Sequence, residues 1–122
     1  MNIAVFASGR GSNFQAILNA IHHRLLPASV RLLISSSSAA GALDIARAHQ
    51  IPALPHALSQ FPSEEAYVAD LLGLLRQHGV DFIALAGYLK KLPSALVRQY
   101  RHRIANIHPA LLPAFGGKGM YG

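Results

Sequence analysis

Short apolar runs alternate along the chain with longer segments in which apolar residues recur at helical spacing. A short apolar run predicts a strand that is covered on both faces, whereas a recurrence every three or four residues predicts an amphipathic helix. Strands are predicted at residues 2–7, 30–34, 51–54, 80–86 and 103–107. Helices are predicted at residues 13–25, 39–49, 64–78 and 93–100.

The alternation of strand and helix predicts an α/β fold, a doubly wound, mostly parallel open sheet with right-handed crossovers. No internal repeat or boundary interrupts the pattern, so residues 1–122 are expected to form a single domain. Pro52 and Pro55 flank the third strand and place it at an edge, because proline cannot donate to a central ladder. Ser63 is the expected N-cap of the third helix, and Gly79 is its expected C′ residue.

Composition narrows the class of protein. Apolar residues make up 52 % of the chain and charged residues 13 %, a composition that argues against a disordered protein. No apolar stretch reaches the roughly 18 residues of a membrane-spanning helix, so no membrane partner is expected. The chain has no cysteine, which excludes disulfides and a thiol nucleophile and fits a cytoplasmic protein. The net charge is +6, but the basic residues are scattered and not interleaved with aromatics. That distribution favours small anionic substrates over nucleic acid.

A glycine-rich turn, residues 9–13, lies between the first predicted strand and the first predicted helix. Its two glycines allow backbone conformations closed to other residues, and an anion could then approach the free amides of the first helical turn. Ser12 and Asn13 add side-chain donors. The third glycine of the dinucleotide fingerprint is absent. The motif fits a phosphate site and, equally, a tight turn in which Ser12 caps the helix.

Asn106 and His108 end the last predicted strand and, being two residues apart, are expected to share a face. The amide can donate a hydrogen bond to a developing oxyanion, and the imidazole can donate as well or transfer a proton near neutral pH. Taken alone, the pair also fits a strand-end histidine that caps a loop. The other histidines show no consistent metal-ligand spacing, so no metal site is predicted.

Residues 87–92 follow the strongest predicted strand. Apolar side chains and backbone amides at this position could bind a flat heterocycle. The alternative is an ordinary strand-to-helix turn with a solvated pair of lysines.

Taken together, three motifs resemble those of the phosphoribosylglycinamide formyltransferases, folate-dependent enzymes of de novo purine synthesis. They are VFASGRGSN at residues 5–13, ALAGY at 84–88 and NIHPALLP at 106–113. The last is typical of the formyl-transfer superfamily, and the first distinguishes the glycinamide enzymes from their relatives. The similarity spans the whole chain and implies a Rossmann-like formyltransferase fold.

The resemblance implies a role for each motif. Gly11, Ser12 and Asn13 would hold the ribose phosphate of the glycinamide substrate. Asn106 would hold the formyl oxygen, and His108 would assist as the substrate amine attacks the formyl carbon. The implied reaction is a direct acyl transfer through a tetrahedral intermediate, with no covalent enzyme adduct and no metal.

The resemblance also implies a cosubstrate, 10-formyltetrahydrofolate, so the expected partners are two small molecules. Its pterin pocket would be lined by Leu89, Lys90, Lys91, Leu92 and Asn106. The family often has a basic residue at the position of Glu64, where it contacts the folate. Glu64 has the opposite charge.

The glycine-rich segment at residues 116–122 leads us to expect the N-terminal portion of a longer domain, with the C-terminal part missing. The resemblance implies a catalytic aspartate beyond residue 122, so this chain alone is expected to be inactive. Two alternatives stay open. One is another formyltransferase of the superfamily, acting on methionyl-tRNA or a sugar nucleotide. The other is a non-catalytic phosphate-binding fragment.

Overall fold

A computed structural model of the chain describes residues 1–38, 40–88 and 90–107. Within these ranges the strands are β1 (Asn2–Ala7), β2 (Ser29–Ser35), β3 (Ala53–Pro55), β4 (Phe82–Ala86) and β5 (Ile104–Asn106). The helices are α1 (Ser12–His22), α2 (Gly41–Ala48), α3 (Glu64–Gln77) and α4 (Ser94–Gln99), with a 3-10 turn at Leu58–Gln60. The described strands form one parallel sheet in the order β3-β2-β1-β4-β5.

Both faces of the sheet are covered, so the fold is doubly wound. Along β1, Val5 and Ala7 belong to the core beneath α1 and α2, whereas Ala4 and Phe6 belong to the core beneath α3 and α4. Successive strand residues point to opposite faces, and a strand buried on both faces therefore needs an uninterrupted apolar run. This is the physical reason for the short apolar runs in the sequence.

The order of the strands creates a crevice between β1 and β4. The chain first moves outward from β1 through β2 to β3, then returns to place β4 on the other side of β1. In such sheets the connections after the two central strands diverge to opposite faces, and ligands bind outside their carboxyl ends. The register pairs Ala7 with Ala86, so β1 and β4 end level with each other at this crevice.

Most predicted elements are confirmed with small shifts at their ends. The third strand lies at the edge of the sheet, as its prolines predict. Ser63 caps α3, because its Oγ accepts a hydrogen bond of 3.1 Å from the Ala66 amide. Gly79 follows α3 with a φ of 65°, the left-handed conformation expected at C′. Parallel pairing throughout the described strands confirms the predicted fold class.

The end of α1 differs from the prediction. The helix ends at His22, not at residue 25, and Pro27 does not terminate it. Arg24 takes a left-handed φ of 60°, and the Leu25 amide donates to the Ala20 carbonyl at 2.8 Å. This local turn closes the helix before the proline is reached.

Candidate functional site at the carboxyl ends of the strands

The turn at residues 9–11 places the first amides of α1 at the crevice. Gly11 is the N-cap of α1 with a φ of 98°, a left-handed conformation that suits glycine. Ser12 is the first helical residue and not the N-cap, so the alternative in which Ser12 caps the helix is wrong. The first-turn amides have no partner within the helix and lie at the positive end of its dipole. An added Cβ at Gly9 would meet nothing within 4 Å, which leaves the turn open on that side.

The same turn is seated on the start of α2. The Ala42 amide donates to the Gly9 carbonyl at 3.5 Å. An added Cβ at Gly41 would lie 2.6 Å from the carbonyl oxygen of Arg10. Residue 41 must therefore be glycine, because its backbone lies too close to that of Arg10 for a side chain to fit. The sequence signal for this contact is the small-residue run Ala-Gly-Ala at residues 40–42, which lies outside the three motifs identified from the sequence.

Asn13 connects this turn to the end of β4. An added Cβ at Gly87 would lie 3.0 Å from Asn13 Nδ2 and 3.9 Å from Asn13 Cγ, so the amide lies directly against Gly87. Gly87 itself has a φ of 69°. The structure thus brings together two of the three sequence motifs, residues 9–13 and 84–88, on one crevice.

Serines after β1 and β2 form a second connection along the same rim. Ser36 Oγ donates to Ser8 Oγ at 2.9 Å. The buried Ser35 Oγ donates to the Ser37 carbonyl at 2.7 Å and accepts from the Ser37 amide at 3.1 Å. These bonds fold the serine run back on itself and hold Ser36 beside the glycine-rich turn.

Next to the crevice lies a cleft of about 660 Å³. It is bounded by the loop around the 3-10 turn, the start of α3 and the segment before α4. Its lining residues are Ser36, His56, Ala57, Leu58, Ser59, Glu64, Tyr67, Tyr88, Lys90, Lys91, Leu92, Pro93 and Ser94. Three of the residues predicted for the pterin pocket, Lys90, Lys91 and Leu92, therefore line a real cleft. Leu89 lies outside the described residues.

Aromatic packing builds the inner wall of this cleft. The buried His56 ring packs against Phe61 and Tyr67, with centroid separations of 4.9 and 4.8 Å, and those two rings also contact each other at 5.8 Å. The His56 Nε2 lies 2.8 Å from Asp70 Oδ2. Burial raises the pKa of the Tyr88 hydroxyl well above its ordinary range, and the neighbouring Tyr67 raises it further. Tyr88 therefore stays neutral at physiological pH and offers a hydroxyl, not a charge. None of these aromatic contacts is evident from local sequence spacing.

Asn106 lies at the same edge of the sheet but does not line the cleft. It is exposed, it pairs in register with Leu85 of β4, and the following amide, Ile107, donates to the Leu85 carbonyl at 2.9 Å. The continued pairing fixes Asn106 one strand away from Gly87. Its expected partner His108 lies outside the described residues, so their shared face stays a prediction.

The described part of the chain contains neither a metal-binding cluster nor a membrane-spanning helix. Within residues 1–38, 40–88 and 90–107, no group of three His, Cys, Asp or Glu side chains could hold a metal ion. Among these same residues, no helix combines the length and apolar character needed to span a bilayer.

An open parallel sheet with a glycine-rich turn and an adjoining cleft at its switch point defines an α/β protein of the doubly wound class. The family model described as "Formyl transferase" matches residues 1–121, so the chain belongs to the formyl transferase family. Within that family, its similarity is to the phosphoribosylglycinamide formyltransferases, as the motifs predict.

The relatives that show this are both curated proteins and solved structures. The chloroplastic phosphoribosylglycinamide formyltransferase of Arabidopsis thaliana is 47 % identical over 122 residues, which cover 98 % of this chain and 41 % of that protein. The Bacillus subtilis phosphoribosylglycinamide formyltransferase is 40 % identical, covering 93 % of this chain and 58 % of its own length. The crystal structure of glycinamide ribonucleotide transformylase 1 from Geobacillus kaustophilus superposes with a TM-score of 0.82 at 42 % identity, covering 96 % of this chain and 62 % of its own. The chain thus spans about half the length of these relatives.

Proposed function

We propose that the protein transfers a formyl group from 10-formyltetrahydrofolate to the amine of 5-phosphoribosylglycinamide. The observation that carries the proposal is the contact of the Asn13 amide with Gly87. This contact places the turn at residues 9–13, which suits a phosphate, in the same crevice as the segment at residues 84–88, which leads into the cleft. The names of the similar proteins support the choice of substrate, and membership of the formyl transferase family, together with the resemblance of the motifs, implies the formyl-folate cosubstrate.

The phosphate of the substrate is proposed to bind at Gly11, Ser12 and Asn13. Three features support this: the open space over Gly9, the first-turn amides of α1, which have no partner within the helix, and the Asn13 side chain beside them. A hydrogen bond to a charged group contributes about 1.5–3 kcal/mol, so each donor matters for affinity.

The folate is proposed to occupy the cleft. Lys90, Lys91 and Leu92 line it, and Leu89 completes the predicted segment. A cleft with an aromatic and apolar interior and a few polar groups suits a flat heterocycle. Glu64 also lines the cleft, and its carboxylate would repel an anionic folate tail, whereas the two lysines would attract it.

Catalysis is proposed to depend on Asn106 and His108. The Asn106 amide would donate to the formyl oxygen as negative charge develops there, while His108 would assist attack by the substrate amine. Loss of one such donor costs about 3 kcal/mol of transition-state stabilisation, or roughly a hundredfold in rate. Asn106 would also contact the folate, because the formyl group that it holds is carried by that molecule.

The first experiment is calorimetric titration of the chain with phosphoribosylglycinamide and, separately, with 10-formyltetrahydrofolate. We expect both to bind, and we expect Asn13→Ala to weaken the phosphorylated substrate by about tenfold or more. Asn19→Ala is the matched control, because Asn19 is an exposed asparagine on the same helix, whose Oδ1 accepts a local hydrogen bond of 3.0 Å from Gln15 Nε2. Unchanged substrate affinity in Asn13→Ala would contradict the phosphate site.

The alternatives predict different titrations. A non-catalytic phosphate-binding fragment would bind phosphoribosylglycinamide but not the folate. A formyltransferase for methionyl-tRNA or a sugar nucleotide would bind the folate, yet its affinity for phosphoribosylglycinamide would not depend on Ser12 and Asn13. The inactivity of these 122 residues alone, the single-domain assignment and a cytoplasmic location stay predictions. The name of the Arabidopsis relative places that protein in the chloroplast.

A further inference from the structure

We infer that Gly87 is a positioning residue, whose lack of a side chain sets the location of the Asn13 amide at the proposed phosphate site. The inference rests on the proposed function, since it names the residue that orients one of its phosphate donors. Gly87 would exert this effect on the substrate through Asn13.

The geometry separates two demands on this position. The first is conformational: a φ of 69° is the left-handed region that favours glycine. The second is steric: a Cβ would stand 3.0 Å from Asn13 Nδ2, which is tighter than almost all real Cβ contacts. The first demand concerns the backbone of residue 87 alone, whereas the second concerns Asn13.

The atom that must yield to a Cβ is the end of a side chain and not backbone. Asn13 Nδ2 can move away by rotation about the Asn13 side-chain bonds, so the fold tolerates an alanine at residue 87 while the amide is displaced. A Cβ at this distance requires its neighbour to move by a few tenths of an ångström, which lengthens and weakens a hydrogen bond from Asn13 Nδ2 to the phosphate. The steric demand is therefore expected to appear as lost phosphate affinity.

Gly79 provides a matched control for the conformational demand. Its φ is 65°, close to that of Gly87, and an added Cβ there would meet nothing within 4 Å. Gly79→Ala and Gly87→Ala thus impose the same backbone strain, but only Gly87→Ala contacts Asn13. Any difference between them in substrate binding reports the steric demand.

The experiment measures dissociation constants by calorimetry for three ligands: phosphoribosylglycinamide, its dephosphorylated form and 10-formyltetrahydrofolate. We expect Gly87→Ala to weaken binding of phosphoribosylglycinamide several-fold, less than Asn13→Ala does, and to weaken the other two ligands by less than twofold. Gly79→Ala should leave all three affinities within twofold of the parent protein. A merely structural role for Gly87 would weaken the ligands alike, and that result would overturn the inference.

A double variant links the effect to Asn13. In the Asn13→Ala background the neighbouring Nδ2 and Cγ are gone, so Gly87→Ala should weaken the phosphorylated substrate no further. An additive loss would overturn the inference. If Asn13→Ala alone has no effect, the proposed phosphate site fails; if Asn13→Ala weakens the substrate and Gly87→Ala does not, only the present inference fails.

Thermal unfolding covers the case in which Gly87→Ala does not fold. The Asn13→Ala, Gly87→Ala protein should then fold, with a Tm equal to that of Asn13→Ala, Gly79→Ala, because the contact has been removed from both. Failure of the double variant to fold would show that the strain does not come from Asn13 and would refute the positioning role.

Discussion

Gly41 offers a sharp test of how the glycine-rich turn is held. It is the first residue of α2, and an added Cβ would lie 2.6 Å from the Arg10 carbonyl oxygen and 3.2 and 3.3 Å from the Arg10 C and Cα. All three neighbours are backbone atoms. The change Gly41→Ala therefore cannot be absorbed by side-chain rotation, and either the turn or the helix must shift.

Two opposing terms set the expected magnitude. Alanine in place of a helical glycine ordinarily stabilises a protein by about 0.5–1 kcal/mol. Forcing an extra methyl into a packed site costs about 1–3 kcal/mol. Because the neighbours at Gly41 are backbone, the steric term should win, and we expect Gly41→Ala to lower the free energy of unfolding by roughly 1–2 kcal/mol.

Gly73 supplies the control of opposite sign. It lies inside α3, and an added Cβ there would meet nothing within 4 Å. Gly73→Ala should raise the free energy of unfolding by about 0.5–1 kcal/mol, since only the helix-propensity term applies. The two variants make the same chemical change in two helices of one protein and are expected to move stability in opposite directions.

The assay is urea unfolding followed by far-ultraviolet circular dichroism, with midpoints compared at equal slope. Calorimetric titration with phosphoribosylglycinamide follows, because displacement of the Arg10 backbone should misplace the amides after it and weaken the substrate in Gly41→Ala alone. Stabilisation by both variants would refute the claim that the turn is seated on α2. If Gly41→Ala is destabilised but binds phosphoribosylglycinamide as tightly as the parent protein, the proposed link between the seating of the turn and substrate binding is refuted.

Two further predictions concern the wall of the cleft. His56→Ala should lower the free energy of unfolding by about 3 kcal/mol, because it removes a buried ring packed against two others. Asp70→Asn keeps an acceptor at a half-exposed position and should cost less than about 1 kcal/mol. Urea unfolding checks both values, and equal losses would contradict the packing argument. Burial raises the pKa of Tyr88 above the ordinary 10.0, so the folded state keeps a proton that the unfolded state loses. This contribution is fully present below about pH 10 and is lost as pH rises further. Tyr88→Phe should flatten the alkaline fall in unfolding free energy, and an unchanged slope would count against it.

Local signals were enough to predict most of the fold. The apolar runs predict the strands because a strand that is buried on both faces needs an apolar residue at every position. Ser63 and Gly79 predict the ends of α3 because capping depends on residues within one turn of the helix end. The end of α1 was mispredicted because a left-handed Arg24, which is uncommon for a side chain of this kind, closes the helix before Pro27.

The candidate site was predicted only in part, since its contacts join distant segments. Residues 9–13 were identified from their glycines, but the approach of Asn13 to Gly87 depends on the pairing of β1 with β4, which no local pattern specifies. The packing of His56 against two aromatic rings likewise depends on how the loop after β3 folds onto α3. The roles of His108 and Leu89 stay predictions, because both residues lie outside the described ranges.

The switch in strand order also has a consequence for the route by which the site forms. One wall of the crevice belongs to the βαβ unit of the first 35 residues. The other wall is β4, which pairs with β1 across a sequence separation of about 80 residues. Such distant pairing closes slowly, so the pocket for a small molecule is expected to be among the last parts of the molecule to be assembled. A ligand that spans both walls would then bind only after closure and would hold the two halves of the chain together by mass action.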